Sequence, residues 1–296
     1  MGWEGVPCSR VLIVSKGRLA LETLVHAVTG EAKPLLALSL GRQAAVRKLT
    51  VQVMRPNGDI LGYIKTPFLD AAAPRVRNEA SILERLWNFP ALRAHIPRIL
   101  YAGDWNGSYM LFQSALKGER GPLTFNAMHE TFLETLSNVH SVEMPAETLI
   151  HALARTCEKT VRCLGVQWEA LGKEVIQRST HLLLKKVLRC GVMHGDFAPW
   201  NTLAGQQKLL VFDWESAEWL APTSWDMFHF NVLTATSFRK DSAHCLISPQ
   251  QSSLEAASFM LYLLNSVRQF LEEGNFIAIR ERQELLVRQL HRIQQC

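Results

Sequence analysis

His194-Gly195-Asp196-Phe197-Ala198-Pro199-Trp200-Asn201, followed by Leu209-Leu210-Val211-Phe212-Asp213-Trp214-Glu215, is the stretch on which the fold turns. Asp196 and Asn201 are five residues apart, and Asp213 stands twelve beyond Asn201, closing an apolar run. A short apolar run of this kind reads as a buried strand, which puts Asp213 at a strand end. Phosphoryl transfer needs little covalent work from a protein; it needs positioning and neutralisation of charge on the transferring group. A carboxylate within reach of a hydroxyl supplies the base, and Asp196 suits that role. Magnesium prefers hard oxygen ligands and shares them with phosphates and water, as Asn201 and Asp213 would allow. The alternative is a pair of loops with satisfied polar groups; His-Gly-Asp alone would not exclude it, and the spaced set argues against it.

The interval from Asp196 to Asn201 is that of the kinase loop H-R-D-x-x-x-x-N. H-G-D-x-x-x-x-N followed by an apolar strand ending in D-W-E resembles the aminoglycoside phosphotransferase and choline kinase superfamily, relatives of the protein kinases in which Gly, as at Gly195, replaces the Arg. The resemblance implies an α+β fold, bilobal and protein-kinase-like, with a small antiparallel-sheet N-lobe carrying one helix and a large, mainly helical C-lobe. It implies ATP and magnesium as cofactors, Asp196 as catalytic base, and Asn201 and Asp213 as metal ligands. His194 is expected to pack beneath the site and hydrogen-bond backbone near the metal Asp. Asp226, in Ser224-Trp225-Asp226-Met227-Phe228, matches the family Asp that braces the catalytic loop; an acid at a helix N-terminus, favoured by the dipole, is the other reading. His140 matches a helix-end His and reads as a core or capping residue.

A kinase also needs a Lys on its third strand, held by a Glu on the next helix. Ile60-Leu61-Gly62-Tyr63-Ile64-Lys65 is a V-A-I-K-like strand, and Arg75 to Leu86 has Val76, Ala80, Leu83 and Leu86 on one helical face. Glu79 is the expected partner of Lys65; Glu84 competes, with an exposed pairing to a neighbouring Arg as its plainer role. Upstream, 37–53 reads as strand, loop, strand, with Gly41 as the loop's glycine in place of G-x-G-x-x-G; backbone N–H groups there would face phosphate. Asn57-Gly58 marks a hairpin turn. Tyr109 to Gly118 resembles the fifth strand and hinge, where backbone near Gln113 and Ala115 would hold adenine with Phe112 behind it; a plain edge strand fits as well.

The chain's 296 residues and 48% hydrophobic content suffice for two cores. The expected division is an N-terminal lobe over 1–118 and a C-terminal lobe over 119–296. Residues 1–35 hold a strand-like Val11–Val14 and a helical Leu19–Val28. From Pro122 on, helices are expected over Leu123–Val142, Ala146–Leu164, Trp168–Cys190 and from Trp225 to Cys296, with strands near Val192 and Leu209–Phe212. Six unevenly spaced Cys suggest a reducing compartment, and the N-terminus carries no secretory or myristoylation pattern, so the cytoplasm is the expected location. No apolar run reaches about 18 residues, so no membrane span is expected; Phe259–Leu264 reads as buried helix. A net charge of +5 with dispersed Lys and Arg lacks the basic stripe that nucleic acid requires.

The expected partner is therefore a small-molecule hydroxyl acceptor. Asp213 is followed by Trp-Glu instead of Phe-Gly, and Ala221-Pro222 arrives too soon for an activation segment, which argues against a protein substrate. The variant motifs, with Asp226-Met227-Phe228-His229-Phe230, look most like members associated with sugar or surface-polysaccharide metabolism. Trp200, Trp214, Trp219 and Trp225 could stack on a sugar or pack the core, and Glu215 and Glu218 could hold an acceptor or lie solvated in a loop. An aminoglycoside kinase, a choline or ethanolamine kinase with an aromatic or acidic cage, and a nucleotide-binding pseudokinase are the alternatives.

Overall fold

Period-two patterns in the first part of the chain become strands, and the 3.6-residue patterns further on become helices. The computed structural model describes residues 10–11, 20–41, 46–238 and 252–295. Its elements are β1 (Arg10–Val11), α1 (Ala20–Thr29), β2 (Leu35–Leu40), β3 (Lys48–Met54), β4 (Ile60–Pro67), α2 (Ala73–Trp87), β5 (Ile99–Trp105), β6 (Ser108–Ser114) and β7 (Glu119–Arg120). Then follow α3 (Ala127–Val139), β8 (Ser141–Pro145), α4 (Ala146–Leu164), α5 (Val166–Leu182), β9 (Val187–Met193), β10 (Thr202–Gly205), β11 (Lys208–Val211), β12 (Glu218–Pro222), α6 (Trp225–Phe238), α7 (Ser253–Glu272) and α8 (Phe276–Gln295). Residues 42–45 of the expected phosphate loop, 12–14 of the first expected strand and 239–251 lie outside the described residues. No described helix is long and apolar enough to cross a membrane.

The chain forms two compact units, Met1–Glu119 with Leu203–Ala217, and Arg120–Thr202 with Glu218–Cys296. This departs from the division expected at 118/119 in one segment. Leu203–Ala217 groups with the first unit because its turn is tied to α2 and β4: Asn78 Nδ2 donates to the carbonyls of Glu215 and Ala217 at 3.0 and 2.9 Å.

The first unit is a six-stranded sheet in the order β1-β2-β3-β4-β6-β5, antiparallel throughout. Alternation along β4 and β6 sorts the two faces. Ile64, opposite Phe112, packs with Val51, Val53 and Val25 of α1, while Leu111, opposite Lys65, packs with Val76 and Ala80 of α2. Two helices thus serve the sheet, one more than the fold expectation named. The Asn57-Gly58 turn closes β3 onto β4, with Gly58 at φ 90° and its N–H donating to Arg55 O at 2.9 Å. Gly62 is required by close approach, since a Cβ there would lie 2.1 Å from Gln113 O.

The second unit is mainly helical. Its core joins α4, α5, α7 and α8 to α6 and β9 through Val161, Trp168, Val175, Phe228, Phe259, Leu263 and Leu286, and 259–264 are all buried within α7. A three-stranded antiparallel sheet, β12-β9-β8, carries the chain into His194. Two expected helices are shorter than the pattern suggested. Asn126 caps α3, accepting from Met128 N–H at 3.1 Å, and its far end turns into β8, with His140 as C-cap. The reading Trp168–Cys190 ends at Leu182; Lys185 takes φ 56°, and Val187 to Cys190 then alternate exposed and buried as a strand does. Leu, Lys and Arg in 182–189 satisfy both periods, which is why the pattern ran on.

Candidate functional site

Lys65 lies on the α2 face of β4, and Glu79 projects from the buried stripe of α2. The Lys65 ammonium is 2.6 and 2.8 Å from the two Glu79 carboxylate oxygens and 2.7 Å from Asp213 Oδ1. Both partners are buried, at 5% and 0% exposure, whereas Glu84 faces solvent. A buried carboxylate is stable only when paired and hydrogen-bonded; Glu79 Oε1 also accepts from the Trp214 N–H at 3.3 Å.

Asp213 follows β11 in the left-handed region, φ 69° and ψ 59°. That conformation is uncommon outside glycine, and Asp tolerates it better than most side chains. Here it is over-determined. Trp214 is fully buried, its indole N–H donating to Val211 O at 3.2 Å, and the Asn78 contacts hold the residues that follow.

Lys48 was not anticipated. Its ammonium is 2.7 Å from Asp213 Oδ1 and also contacts Glu215, which lies 3.7 Å from Arg75 Nη1. The signal was available: Thr50 pairs with Lys65 across β3 and β4, and Lys48, two residues earlier, shares that face. Burial by itself would raise the Asp213 carboxyl, but the charges of Lys48 and Lys65 override it and hold the group well below the carboxylate range. Lys48 is displaced upward: burial opposes its charge, and Asp213, Glu215 and Glu79 together outweigh that. Glu215 is raised by burial and by Asp213, with Lys48 partly offsetting. Glu79, Asp213 and Glu215 present carboxylate oxygens within 4.8 Å of one another, hard ligands of the kind magnesium takes.

Among the expected nucleotide contacts, Gln113 is buried in β6 and its side-chain oxygen has no partner among the described residues. The Ala115 N–H donates to Leu61 O at 3.2 Å, so that donor is engaged within its own unit. Gly41 accepts from Arg47 Nε at 2.9 Å and, among the described residues, has no close neighbour at its Cβ position beyond Lys48 O at 3.9 Å.

In the second unit, β9 delivers His194 to a tight loop in which Gly195 takes φ 79°. Asp226, at the start of α6, accepts from the His194 and Gly195 N–H groups at 2.7 and 3.0 Å. Burial pushes its carboxyl upward against the pull of His194 and those two hydrogen bonds. His194 is fully buried, and its Nδ1 accepts from the Asp196 N–H at 3.2 Å. Asn201 Nδ2 donates to Asp196 O and Oδ2, each at 2.8 Å, so its amide nitrogen is committed and its amide oxygen is the acceptor atom. His229 also reaches Asp196, Nε2 to Oδ1 at 3.2 Å. It too was missed, although it lies three residues after Asp226 and so on the same side of α6. Phe197 anchors the loop from below against Phe132, Phe230 and His129, with ring centroids 5.8 to 5.9 Å apart.

Of the four tryptophans, Trp214 and Trp225 are core residues, while Trp200 is 38% exposed. Glu218 is paired with Arg268 at 3.0 Å; burial raises its carboxyl, and Arg268 opposes that.

A Lys–Glu pair between strand and helix, a carboxylate turn at a strand end and a braced Asp loop define a protein-kinase-like phosphotransferase. The phosphotransferase enzyme family matches residues 46–224, more than half of the chain, and the protein belongs to that family. Among solved structures, the GDP complex of wild-type aminoglycoside 2'-phosphotransferase-IIIa is similar with TM-score 0.56 and 16% identity over 93% of this chain and 98% of that one. The streptomycin–ATP–APH(2")-IIa ternary complex has TM-score 0.56 and 12% identity over 92% and 97%. A thermostable mutant of APH(4)-Ia with ADP and hygromycin B has TM-score 0.54 and 12% identity over 93% and 99%. No curated protein matches the sequence.

Proposed function

We propose that this protein transfers the γ-phosphoryl group of magnesium-bound ATP to a hydroxyl of a small molecule, with a sugar or polysaccharide precursor as the acceptor class. The observation that carries the reading is Asp196, whose carboxylate is half-exposed yet anchored at both oxygens, by Asn201 and by His229. A base so placed keeps lone-pair directions for an incoming hydroxyl and gives up little orientational freedom on reaction.

The chemistry of each ligand proposed for the magnesium that the family implies suits that ion, Asp213 offering a carboxylate oxygen in its unit and Asn201 an amide oxygen in the other. When bound, the metal would supply neutralisation of phosphate charge. Lys65, fixed by Glu79, would hold the α and β phosphates, and Lys48 stands beside it as a second cation on the same sheet face. Asp196 would accept the acceptor's proton as its oxygen attacks. Gln113, Ala115 and the Gly41 loop are assigned to the nucleotide, and His194 and Asp226 to holding the catalytic loop. Relatives of this fold bind ATP in one case and GDP in another, which supports a purine nucleotide and leads us to test both.

The test is magnesium-dependent ADP or GDP release across sugars, amino alcohols and aminoglycosides. We expect turnover with a neutral polyhydroxyl acceptor. Magnesium-dependent nucleotide binding without turnover on any hydroxyl would replace this reading with a pseudokinase.

A further inference from the structure

Behind Asp196 runs a buried polar chain that the proposed chemistry does not require. His229 is 3% exposed; its Nε2 is 3.2 Å from Asp196 Oδ1 and its Nδ1 3.2 Å from the Tyr262 hydroxyl. Tyr262 is also 3% exposed, and the buried Arg282 guanidinium is the cation acting on its hydroxyl. Arg282 is fully buried on α8, stacked over Phe270 at 4.6 Å, with Glu281 3.3 Å away. His229 lies parallel to the same Phe270 ring, 6.5 Å between centroids. Two elements, α6 and α7, thus contribute His229 and Tyr262 to a line ending on the Asp196 carboxylate, with Arg282 of α8 buried near its far end.

The chemistry of the Asp196 end sets the direction. An ionised carboxylate only accepts hydrogen bonds, so the donor to Asp196 Oδ1 is His229 Nε2–H. Burial pushes the Tyr262 hydroxyl up to about 12, against the opposing influence of Arg282, so it keeps its hydrogen and can pass it to an acceptor. That acceptor is His229 Nδ1, which leaves the ring proton on Nε2, facing Asp196 Oδ1. Every link donates toward the carboxylate, the arrangement in which successive hydrogen bonds strengthen one another. The charged groups around the line are consistent with this. Asp196 and Asp226 both act on Tyr262, and Arg282 is the buried cation that offsets them.

We propose that His229, held in its Nε2–H form by Tyr262, is a positioning residue that fixes the Asp196 carboxylate for proton abstraction. The inference rests on the phosphotransferase reading, because it assigns His229 a role through Asp196. His229 holds Oδ1 while Asn201 holds Oδ2, so the carboxylate cannot rotate away from the acceptor. Losing one of two anchors lets it do so, and a displacement of about 1 Å at a reacting group costs roughly a hundredfold in rate.

Two measurements test this on the full-length protein. The first needs no turnover: 15N-histidine labelling reports which ring nitrogen of His229 carries the proton, the resonance being assigned by its loss in His229→Gln. The wild-type ring should be the neutral Nε2–H tautomer, and Tyr262→Phe, which removes one oxygen and little volume, should shift it toward a tautomer mixture. An Nδ1–H tautomer in the wild type, or no change in Tyr262→Phe, overturns the relay. The second is magnesium-ATP turnover, with water or the acceptor found by screening. His229→Leu should lower kcat roughly a hundredfold with the KM for magnesium-ATP unchanged. His229→Gln, whose amide nitrogen can stand in for Nε2, should recover most of the loss. Equal kcat in His229→Leu and the wild type overturns the inference alone, provided Asp196→Asn is inactive. Activity in Asp196→Asn overturns the base assignment beneath it.

Discussion

Asp196, Asp213 and Lys65 carry different burdens, and single substitutions separate them. Asp196→Asn removes the proposed base and retains one acceptor oxygen, for either Asn201 Nδ2 or His229 Nε2–H. It should reduce transfer by about two to four orders of magnitude while nucleotide affinity, followed by calorimetry, stays near wild type. Near-normal turnover would sink the base assignment. Asp213→Asn removes the carboxylate proposed as a metal ligand, so the magnesium dependence of nucleotide binding should weaken. Lys65→Met leaves the Glu79 carboxylate at 0% exposure with its principal counter-charge gone. Stripping one partner from a buried pair typically costs about 3 to 5 kcal/mol, and the remaining Trp214 N–H contact of Glu79 recovers part of that. Urea unfolding should show a lower midpoint in Lys65→Met, with a smaller loss in the double variant Lys65→Met, Glu79→Leu.

At the scale of elements, geometry and sequence pattern can be compared directly. Gly62 and Gly41 look alike as letters, yet a Cβ on Gly62 would meet Gln113 O at 2.1 Å and Phe112 at 2.9 Å, whereas Gly41 has nothing nearer than 3.9 Å among the described residues. Gly62→Ala forces β4 and β6 apart and should cost at least about 2 kcal/mol; Gly41→Ala should stay within about 0.5 kcal/mol. Equal unfolding midpoints would contradict the contrast. The N-terminus of α3 carries a pH-dependent element. His129 Nδ1 accepts from the Asn126 N–H at 3.2 Å, and Nε2 is buried with no partner among the described residues. Burial lowers its pKa from 6.5 to about 4. The unfolded chain therefore takes up a proton first as pH falls below about 6.5, and native stability should decline from there to about pH 4, then level off. His129→Gln should flatten that part of the stability profile; an unchanged slope would assign it to other groups.

Legibility follows the same lines. Spacing along the chain conveyed what local geometry fixes: Asp196 to Asn201 within one loop; Lys65 on an apolar strand, though that strand runs on to Pro67; Glu79 on the α2 stripe; the Asn57-Gly58 turn. Lys48 could have been placed by period two once β3 was paired with β4, but that pairing is itself a tertiary fact. His229 offered only its three-residue offset from Asp226. Its partner Tyr262, and the Arg282 that acts on that hydroxyl, stand 33 and 53 residues further on, on separate helices, and nothing in the chain announces that packing will bring them together. The helix-to-strand change at 182–187 was hidden because a basic, leucine-rich stretch suits both periods.

For the molecule as a whole, the open question is the acceptor, and charge is the property that discriminates. An aminoglycoside is a polycation, so its binding site needs unpaired carboxylates. The chain has a net charge of +5, and the two acids nearest the motifs are already engaged within their own units, Glu215 by Lys48 and Arg75, Glu218 by Arg268. Recruiting either for a polyamine would separate an existing pair, one of them largely buried, and desolvated charges are costly to leave uncompensated. A neutral polyhydroxyl acceptor asks for no such exchange; it needs hydrogen-bonding groups and an aromatic surface, and Trp200 is the exposed candidate for the latter. Expression in a susceptible bacterium should therefore give no growth protection against aminoglycosides, while purified protein releases ADP with sugars. Replacing Trp200 with Ala should raise the KM for the sugar and leave that for magnesium-ATP unchanged. Protection in the growth assay, or a Trp200→Ala variant whose defect lies in nucleotide KM alone, would move the acceptor away from sugars.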